Sequence, residues 1–542
     1  MSESGIRSIT INQIGYPIHS KKIAIFKGRG GEFRVVNNTT KEVVFHGHTG
    51  EPRKDDASGV TVHIGDFSLI QEPGQYHIEQ DGRGSSGSFM IVDRPYHQLH
   101  KGLLKAFYYF RCGVELEEEF AERWNHKACH LTRGIVYGEP NTLLDSCGGW
   151  HDAGDYGKYS GPGAKAVADL LLAYELYPES FSEPVPLPES DTHTPDVLHE
   201  CRVELEWLMK MQETQSGGVF HKLTTLNFPA LDVMPEDDDS DLYFSPISAT
   251  ATGCFAGVMA MAARIYMPFD SDFAESCLKA AIVAWNWLEA NPTVPGFKNP
   301  SDITTGEYGD EQDLDERYWA AAELFRSTGD ESYHRAFQAL SKETFSKIQL
   351  GWAEMGGYGT ISYLLHGEEQ VNKSLYTELK EEWLKEANRL VQQGNQDGYL
   401  ISLRSEDYIW GSNMLVLNNA MVLLIAYGLH EDPAYEACAL NHLHYLMGRN
   451  VLDISYVTGF GDHPVMNPHH RPSVGDDAVA PVPGMVAGGP DQGLHDDYVR
   501  EHLQGKPAAQ CFADHEDSYS TNEVTIYWNS PAVFLVSHFN RQ

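Results

Sequence analysis

From residue 97 onward the chain repeats one pattern. Apolar residues recur at three- and four-residue spacing in segments 164–177, 198–211, 249–266, 273–290, 316–328, 374–393, 414–429, 435–448 and 524–539. Helical segments in that number, joined by long Gly/Pro/Asp-rich connections, predict a large all-α domain whose loops carry function. No short internal repeat runs through them, so a helical barrel is expected rather than a solenoid. Residues 6–93 read differently. Arg34-Val35-Val36, Glu42-Val43-Val44-Phe45 and Val60-Thr61-Val62-His63-Ile64 are short β-rich runs separated by Gly, Asn and Asp, with a Gly/Ser turn at 82–87. They predict a small immunoglobulin-like β-sandwich. Asp93-Arg94-Pro95 marks the change, giving expected domains 1–95 and 96–542.

Charge separates the same two regions. Lys and Arg number 40 against 77 Asp and Glu, a net −37, yet residues 1–95 hold 11 of each sign. The whole excess therefore lies on the helical part. Its sign excludes nucleic acid and anionic membrane as partners. The longest apolar stretch, 414–429, is interrupted by Asn418 and Asn419 and is too short to span a bilayer, so a core helix is expected. The opening MSESGIRSITINQ has no basic and apolar export signal, which points to a cytoplasmic protein. Eight cysteines at this density are expected to be reduced thiols or metal ligands.

The densest chemistry is Gly148-Gly149-Trp150-His151-Asp152-Ala153-Gly154-Asp155-Tyr156. Two carboxylates three residues apart in a Gly-rich turn can hold one water between them, and Trp150 and Tyr156 offer sugar-stacking faces. A capped helix start is the plainer reading of an isolated pair. Near the other end, Asp514-His515-Glu516-Asp517-Ser518-Tyr519-Ser520-Thr521-Asn522-Glu523 leads into an apolar helix. Thr521 and Glu523 read as helix capping, or Glu523 reads as an acid kept protonated by Tyr527, Trp528 and Asn529.

Taken together, these segments resemble glycoside hydrolase family 9. The resemblance covers nearly the whole chain: Asn12-Gln13-Ile14-Gly15-Tyr16, the GGWHDAGDY turn, the stretch from Asp315 to Leu324, Trp410-Gly411-Ser412-Asn413, Leu446-Met447-Gly448-Arg449-Asn450, Ser455-Tyr456-Val457-Thr458-Gly459, Pro468-His469-His470-Arg471-Pro472-Ser473 and DSYSTNE. It implies a mainly α protein, an (α/α)6 barrel behind an immunoglobulin-like β-sandwich, with inversion at the anomeric carbon. Asp155 is similar to the family's general base, Asp152 to its helper in holding the water, and Glu523 to its general acid. In an inverting enzyme such carboxyls stand about 6.5–9.5 Å apart to admit the water. Pro468-His469-His470-Arg471 resembles the sugar-binding loop, with either histidine facing the sugar. Trp410, Tyr519, Tyr527 and Trp528 are stacking candidates, core packing being the alternative for each.

Cys112, Cys129, His130 and His151 supply two thiolates and two imidazoles, the donor set of a closed structural zinc site. Spacing alone leaves buried cysteines and capped histidines open; the resemblance to the subgroup with an N-terminal immunoglobulin-like domain implies zinc. The same resemblance implies calcium at Asp310, Asp313, Asp315 and Glu316, where the simple alternative is an acidic helix N-terminus. A further acidic run, Glu236-Asp237-Asp238-Asp239 with Asp241, reads as a solvated or cleft-lining loop. The expected activity is exo-acting hydrolysis of short gluco-configured oligosaccharides ending in glucose or glucosamine, the ammonium of glucosamine being drawn by residues 236–239 or by Asp476 and Asp477. An endo-β-1,4-glucanase is the enzymatic alternative. A noncatalytic carbohydrate-binding protein is the other, expected to lack one of the three carboxylates. A zinc hydrolase is discounted, because a Cys2His2 set leaves no open coordination position.

Overall fold

A computed structural model describes residues 7–541 except Thr192 and Asp477, so Asp477, named above as an ammonium partner, lies outside the described residues. Ten strands come first: β1 (Ile9–Thr10), β2 (Gly15–Pro17), β3 (Ile23–Lys27), β4 (Glu32–Asn37), β5 (Val43–His48), β6 (Arg53–Asp55), β7 (Val60–Asp66), β8 (Gly74–Gln80), β9 (Gly84–Ser85) and β10 (Phe89–Val92). They form two sheets, in orders β1-β3-β7-β6 and β2-β10-β8-β4-β5, with β9 beside β8. Pairing is antiparallel except between β10 and β2. Alternation does the sorting: Tyr76 and Ile78 of β8 and Phe33 and Val35 of β4 point inward and meet Phe26, Phe67 and Phe89 in one core. The three strand runs expected above fall in β4, β5 and β7, while part of the expected 82–87 turn is the short strand β9.

Among the described residues, twelve helices of ten residues or more follow: α1 (His97–Tyr109), α2 (Ser160–Leu176), α3 (Asp196–Met211), α4 (Ala249–Tyr266), α5 (Ser271–Ala290), α6 (Leu314–Thr328), α7 (Glu331–Leu340), α8 (Gly356–His366), α9 (Lys373–Gln396), α10 (Ser412–Leu429), α11 (Pro433–Leu446) and α12 (Ile526–Phe539). Burial divides them by parity. In α4, 17 of 18 residues are buried, whereas α9 buries only Leu379, Trp383, Ala387, Leu390 and Gly394, one stripe at three- and four-residue spacing. The even-numbered helices pack on one another, α12 on α2, α2 on α4, α4 on α6, α6 on α8 and α10 on α12, and each also packs on an odd-numbered helix outside it. This is the expected double ring of an (α/α)6 barrel. Close approach of α4 to α6 depends on glycine: a Cβ at Gly257 would lie 2.6 Å from the Trp319 ring.

Nine of the twelve coincide with the predicted segments to within a few residues; α1, α7 and α8 were not singled out. Helix α8 opens Gly356-Gly357-Tyr358-Gly359, a weak helix sequence. Its glycines are there for fit, since a Cβ at Gly356 would meet the Ser346 carbonyl at 2.0 Å. The apolar helix α10 is long enough to cross a membrane by length and composition, but 72% of that window is buried and it packs on α11 and α12. None of the eight cysteines is in a disulfide.

The sandwich is bolted to the barrel by the Asn12-Gln13 pair. Gln13 donates from its backbone to Met447 O (2.9 Å) and from Nε2 to Asp453 O (3.0 Å), and its Oε1 accepts from the amides of Asp462 and His463. Asn12 Nδ2 meets His444 Nδ1 at 2.9 Å. The sandwich's last strand, β10, ends at Val92 and α1 begins at His97.

Candidate active site

The turn before α2 is fixed from outside. Glycines 148 and 149 take φ +99° and +76°, conformations that disfavour a Cβ, and let the chain fold back on the end of α1. There Cys112 donates its amide to Gly149 O and His151 donates to Phe110 O. Glu204 on α3 accepts from the Trp150 amide at 2.7 Å. Asp152 and Asp155 are thereby held almost fully buried.

Glu523 reaches this turn from the other end of the chain. It does not lie in the first turn of α12: it is extended, bridged to His469, and its carbonyl accepts from Gly488. Thr525, not Thr521, caps α12 by accepting from the Trp528 amide. The two strands of chain touch at Gly154, where a Cβ would stand 2.0 Å from His469 O and 3.4 Å from Glu523 Cγ. Arg471 closes the corner, donating NH1 to Gly154 O (2.8 Å) and Nε and NH2 to Pro229 O. So Asp152, Asp155, Glu523, His469 and Arg471 share one site.

Buried Asp152 and Asp155 and half-buried Glu523 act on one another electrostatically, so the charge on each disfavours charge on the others. Glu523 is pushed well above the usual range, first by burial and then by Asp155 and Asp152, with Arg471 and the Gly154 amide opposing. Asp152 is raised by burial, against its hydrogen bond from Tyr308, and further by Asp155 and Glu204. Asp155 is raised by burial, but Arg471, the Gly157 amide and Lys222 all draw it down. Its Oδ1 accepts that Gly157 N–H at 2.5 Å. The arrangement favours an ionised Asp155 facing a protonated Glu523, a base and an acid in one site.

The aromatic candidates divide by exposure. Trp410 (41% exposed) and Tyr519 (36%) face outward with ring centroids 5.4 Å apart, and Tyr519 lies 5.9 Å from His469, so they form a platform leading from Glu523. Trp150 does not face a sugar: it is fully buried on Phe107, and its Nε1 donates to Glu200. Trp528 is also core, filling the space that Gly411 and Gly488 leave open. Tyr156 is buried with its hydroxyl on Val233 O. Of the two histidines, His470 is buried against Phe110 and bonded to Ser473, its pKa pushed down to about 3 by burial, which leaves His469 facing the site.

Tyr308 was missed because no motif surrounds it. It sits at φ +45°, an uncommon conformation for a side-chain-bearing residue. Its hydroxyl donates to Asp152 Oδ2 at 2.6 Å and meets Tyr527 OH at 2.9 Å. The other oxygen of Asp152 has no protein partner.

Beside the turn, the donor atoms of Cys112, Cys129, His130 and His151 all lie within 4.8 Å of one another. The two imidazole nitrogens are 3.3 Å apart and the cysteine-to-histidine pairs 3.9 Å. Tetrahedral zinc with Zn–N near 2.0–2.1 Å and Zn–S near 2.3 Å separates such donors by about 3.3–3.8 Å, so the set fits that metal. His130 takes φ +50° to join it, and Asp238 stands 3.5 Å behind its Nε2. This changes the reading of the acidic run: Asp238 is buried on His130 and Glu236 turns to His126 (3.9 Å), so neither is simply solvated.

The second acidic cluster is assembled in part. Glu316 is buried with both oxygens unpartnered, as is Asp310 Oδ2, and Asp315 acts electrostatically on both. Such orphaned oxygens suit a hard cation. Asp313 departs from the expected ligand set, because its carboxylate is taken by Arg317 at 2.9 Å, one helical turn on.

Comparison with known proteins gives the family and the fold. The sequence profile described as "Glycosyl hydrolase family 9" matches residues 96–536, and that of the "Cellulase N-terminal ig-like domain" matches residues 6–85. A cellodextrinase of Butyrivibrio fibrisolvens is 39% identical, the alignment covering 98% of this chain and 99% of the relative. The structure of a thermostable endoglucanase mutant from Alicyclobacillus acidocaldarius superposes with TM-score 0.93 at 41% identity, covering 99% of this chain and all of the other. A Zn-binding triple mutant of a family 9 endoglucanase, J30, superposes with TM-score 0.91 at 33% identity, covering 96% and 99%.

Proposed function

The chain belongs to glycosyl hydrolase family 9, and from that premise we propose that it hydrolyses short β-1,4-linked gluco-oligosaccharides with inversion, releasing units from a chain end. The observation that carries the chemistry is the carboxyl pair: Asp155, drawn toward ionisation by Arg471 and Lys222, against Glu523, kept protonated by burial and by its acidic neighbours. Asp155 takes a proton from a water that Asp152 helps to hold, and the water oxygen bonds to the anomeric carbon. Glu523 gives its proton to the glycosidic oxygen as that C–O bond breaks. Attack from the face opposite the leaving group inverts the anomer. His469 and Arg471 frame the site, and Trp410 with Tyr519 offers a stacking face.

A neutral glucose unit suits the site better than glucosamine. Of the acids that were to attract an ammonium, Asp238 is engaged with His130 and Glu236 with His126, while Asp237 and Asp239 are exposed to solvent. The cellodextrinase name of a relative aligned end to end supports short chains; endoglucanase action is the second reading, supported by the Alicyclobacillus enzyme. Zinc at Cys112, Cys129, His130 and His151 would brace the turn that aims Asp152 and Asp155, with no open position for chemistry. Asp310 and Glu316 would hold calcium through their unpartnered oxygens, with Asp315, whose Oδ2 accepts from the Met355 amide, beside them.

Cellotetraose and soluble cellulose test the substrate. The first products from the tetramer should be the α-anomer and a trimer with glucose, and the viscosity of soluble cellulose should barely change. A rapid viscosity loss would replace this reading by the endoglucanase one, and retention of the β-anomer would overturn the acid–base assignment.

A further inference from the structure

We infer that Lys222 is a positioning residue of the reaction, whose ammonium holds Asp155 in the anionic, water-activating form and pins the turn that carries Tyr308. The inference rests on reading Asp155 as the base.

Lys222 is fully buried and has no carboxylate within ion-pair distance among the described residues. An unpaired buried ammonium is costly, so its surroundings must supply oxygen. They do so from one place. Its Nζ donates to Gly306 O (2.6 Å), Thr305 Oγ1 (3.1 Å) and Thr305 O (3.3 Å). Residues 305 and 306 lead directly into Tyr308, whose positive φ and hydroxyl serve Asp152. The neighbouring side chains work on the same turn: His221 Nε2 lies 3.1 Å from Glu307 O, and Thr224 Oγ1 meets Thr305 Oγ1 at 2.8 Å. The strand Lys222–Thr224 pairs with Lys158–Tyr159, which begins three residues after Asp155, so the clamp is tied to the end of the turn that carries Asp155.

Charge makes the assignment specific. The titratable and charged groups facing Lys222 are Asp155, Glu307, Tyr308 on the clamped turn, the Tyr159 ring (5.6 Å) and His221. Those facing Asp155 are Arg471, Lys222, Asp152, Glu523 and the Tyr159 hydroxyl. Arg471 favours the anion at both Asp155 and Glu523, so it cannot choose between them; Lys222 is among the groups that draw Asp155 down, whereas the main influences on Glu523 are burial, Asp155, Asp152, Arg471 and the Gly154 amide. An acid–base pair needs that asymmetry. Burial brings Lys222 itself down to about 7, with Asp155 and Glu307 holding it up, so its charge depends on Asp155 as Asp155 depends on it.

Lys222→Met tests the charge, and Thr305→Val removes one acceptor while leaving the lysine. The pH profile of kcat/KM on cellotetraose is read for both, with Asp155→Asn as control and thermal unfolding to verify folding. For Lys222→Met the acid limb should move up by about one pH unit or more, with KM within about twofold of wild type. Thr305→Val should move it the same way by less. An unmoved acid limb in folded Lys222→Met, or in Thr305→Val if the lysine variant does not fold, overturns the inference. Substantial activity in Asp155→Asn overturns the base assignment instead, a separate failure.

Discussion

Replacing Tyr308 with Phe isolates one hydrogen bond at the centre of the site. The ring packs edge-on against Tyr159 (4.6 Å) and Trp352 (4.9 Å), and phenylalanine preserves both contacts. What disappears is the 2.6 Å bond to Asp152 Oδ2 and the contact with Tyr527 OH. Asp152 Oδ1 has no protein partner, so no other fixed donor holds that carboxyl in place. A hydrogen bond to a charged group contributes about 1.5–3 kcal/mol. If that orientation is needed only as water attacks, the loss appears in kcat as roughly 10- to 150-fold, at about 1.4 kcal/mol per decade. Initial rates on cellotetraose, followed by chromatography of the products, give kcat and KM separately, and KM should stay within about twofold because no sugar-facing group is removed. A folded Tyr308→Phe protein whose kcat lies within twofold of wild type would refute the argument that this bond positions Asp152.

Glu523→Gln should lower the hydrolytic rate by about 100- to 10,000-fold, the usual contribution of a general acid. The same variant should unfold at higher temperature than wild type at pH 8, with no gain at pH 4. The folded protein favours a protonated Glu523, so this group's contribution is full below its unfolded value near 4.3 and is lost as pH rises through the raised folded one. Equal melting temperatures at pH 8 would show that the carboxyl is not held neutral. Trp410→Ala should raise KM on cellotetraose about fivefold or more with kcat nearly unchanged, since a stacking contact is worth about 1–2 kcal/mol; an unaltered KM removes the platform from the binding site. Protein purified without chelator should carry one zinc per chain by elemental analysis, and Cys129→Ser should lose the metal and melt at lower temperature; absence of zinc in the wild type would leave the quartet as free thiols and imidazoles.

Much of this protein is legible without coordinates because the signals are local and repeated. Helix α4 is apolar on every side, and its ends match the predicted segment; α9 shows a single stripe, so inner and outer roles follow from periodicity. Motif chemistry also survives one-dimensional reading, since Asp152, Asp155 and Glu523 lie in dense, unusual segments. What failed was orientation. Trp150 and Trp528 sit in catalytic motifs yet point into the core, and Asp313 stands among candidate calcium ligands yet pairs with Arg317, because the direction of a side chain depends on neighbours from distant segments. Tyr308 and Lys222 have no motif at all and act through the turn at residues 305–308.

By itself, then, the sequence determined the two-part architecture and the helical periodicity, consequences of pattern within a short window, and the roles proposed for the three carboxyls came from resemblance to a family along nearly the whole chain. Only the tertiary structure decided which of His469 and His470 meets the site, which aromatic rings are exposed, and which cations stand beside Asp155. Those depend on burial and on fields from residues far away in the chain: Arg471 beside Gly154, Lys222 clamped on residues 305 and 306, and a glycine small enough to let residue 154 touch Glu523.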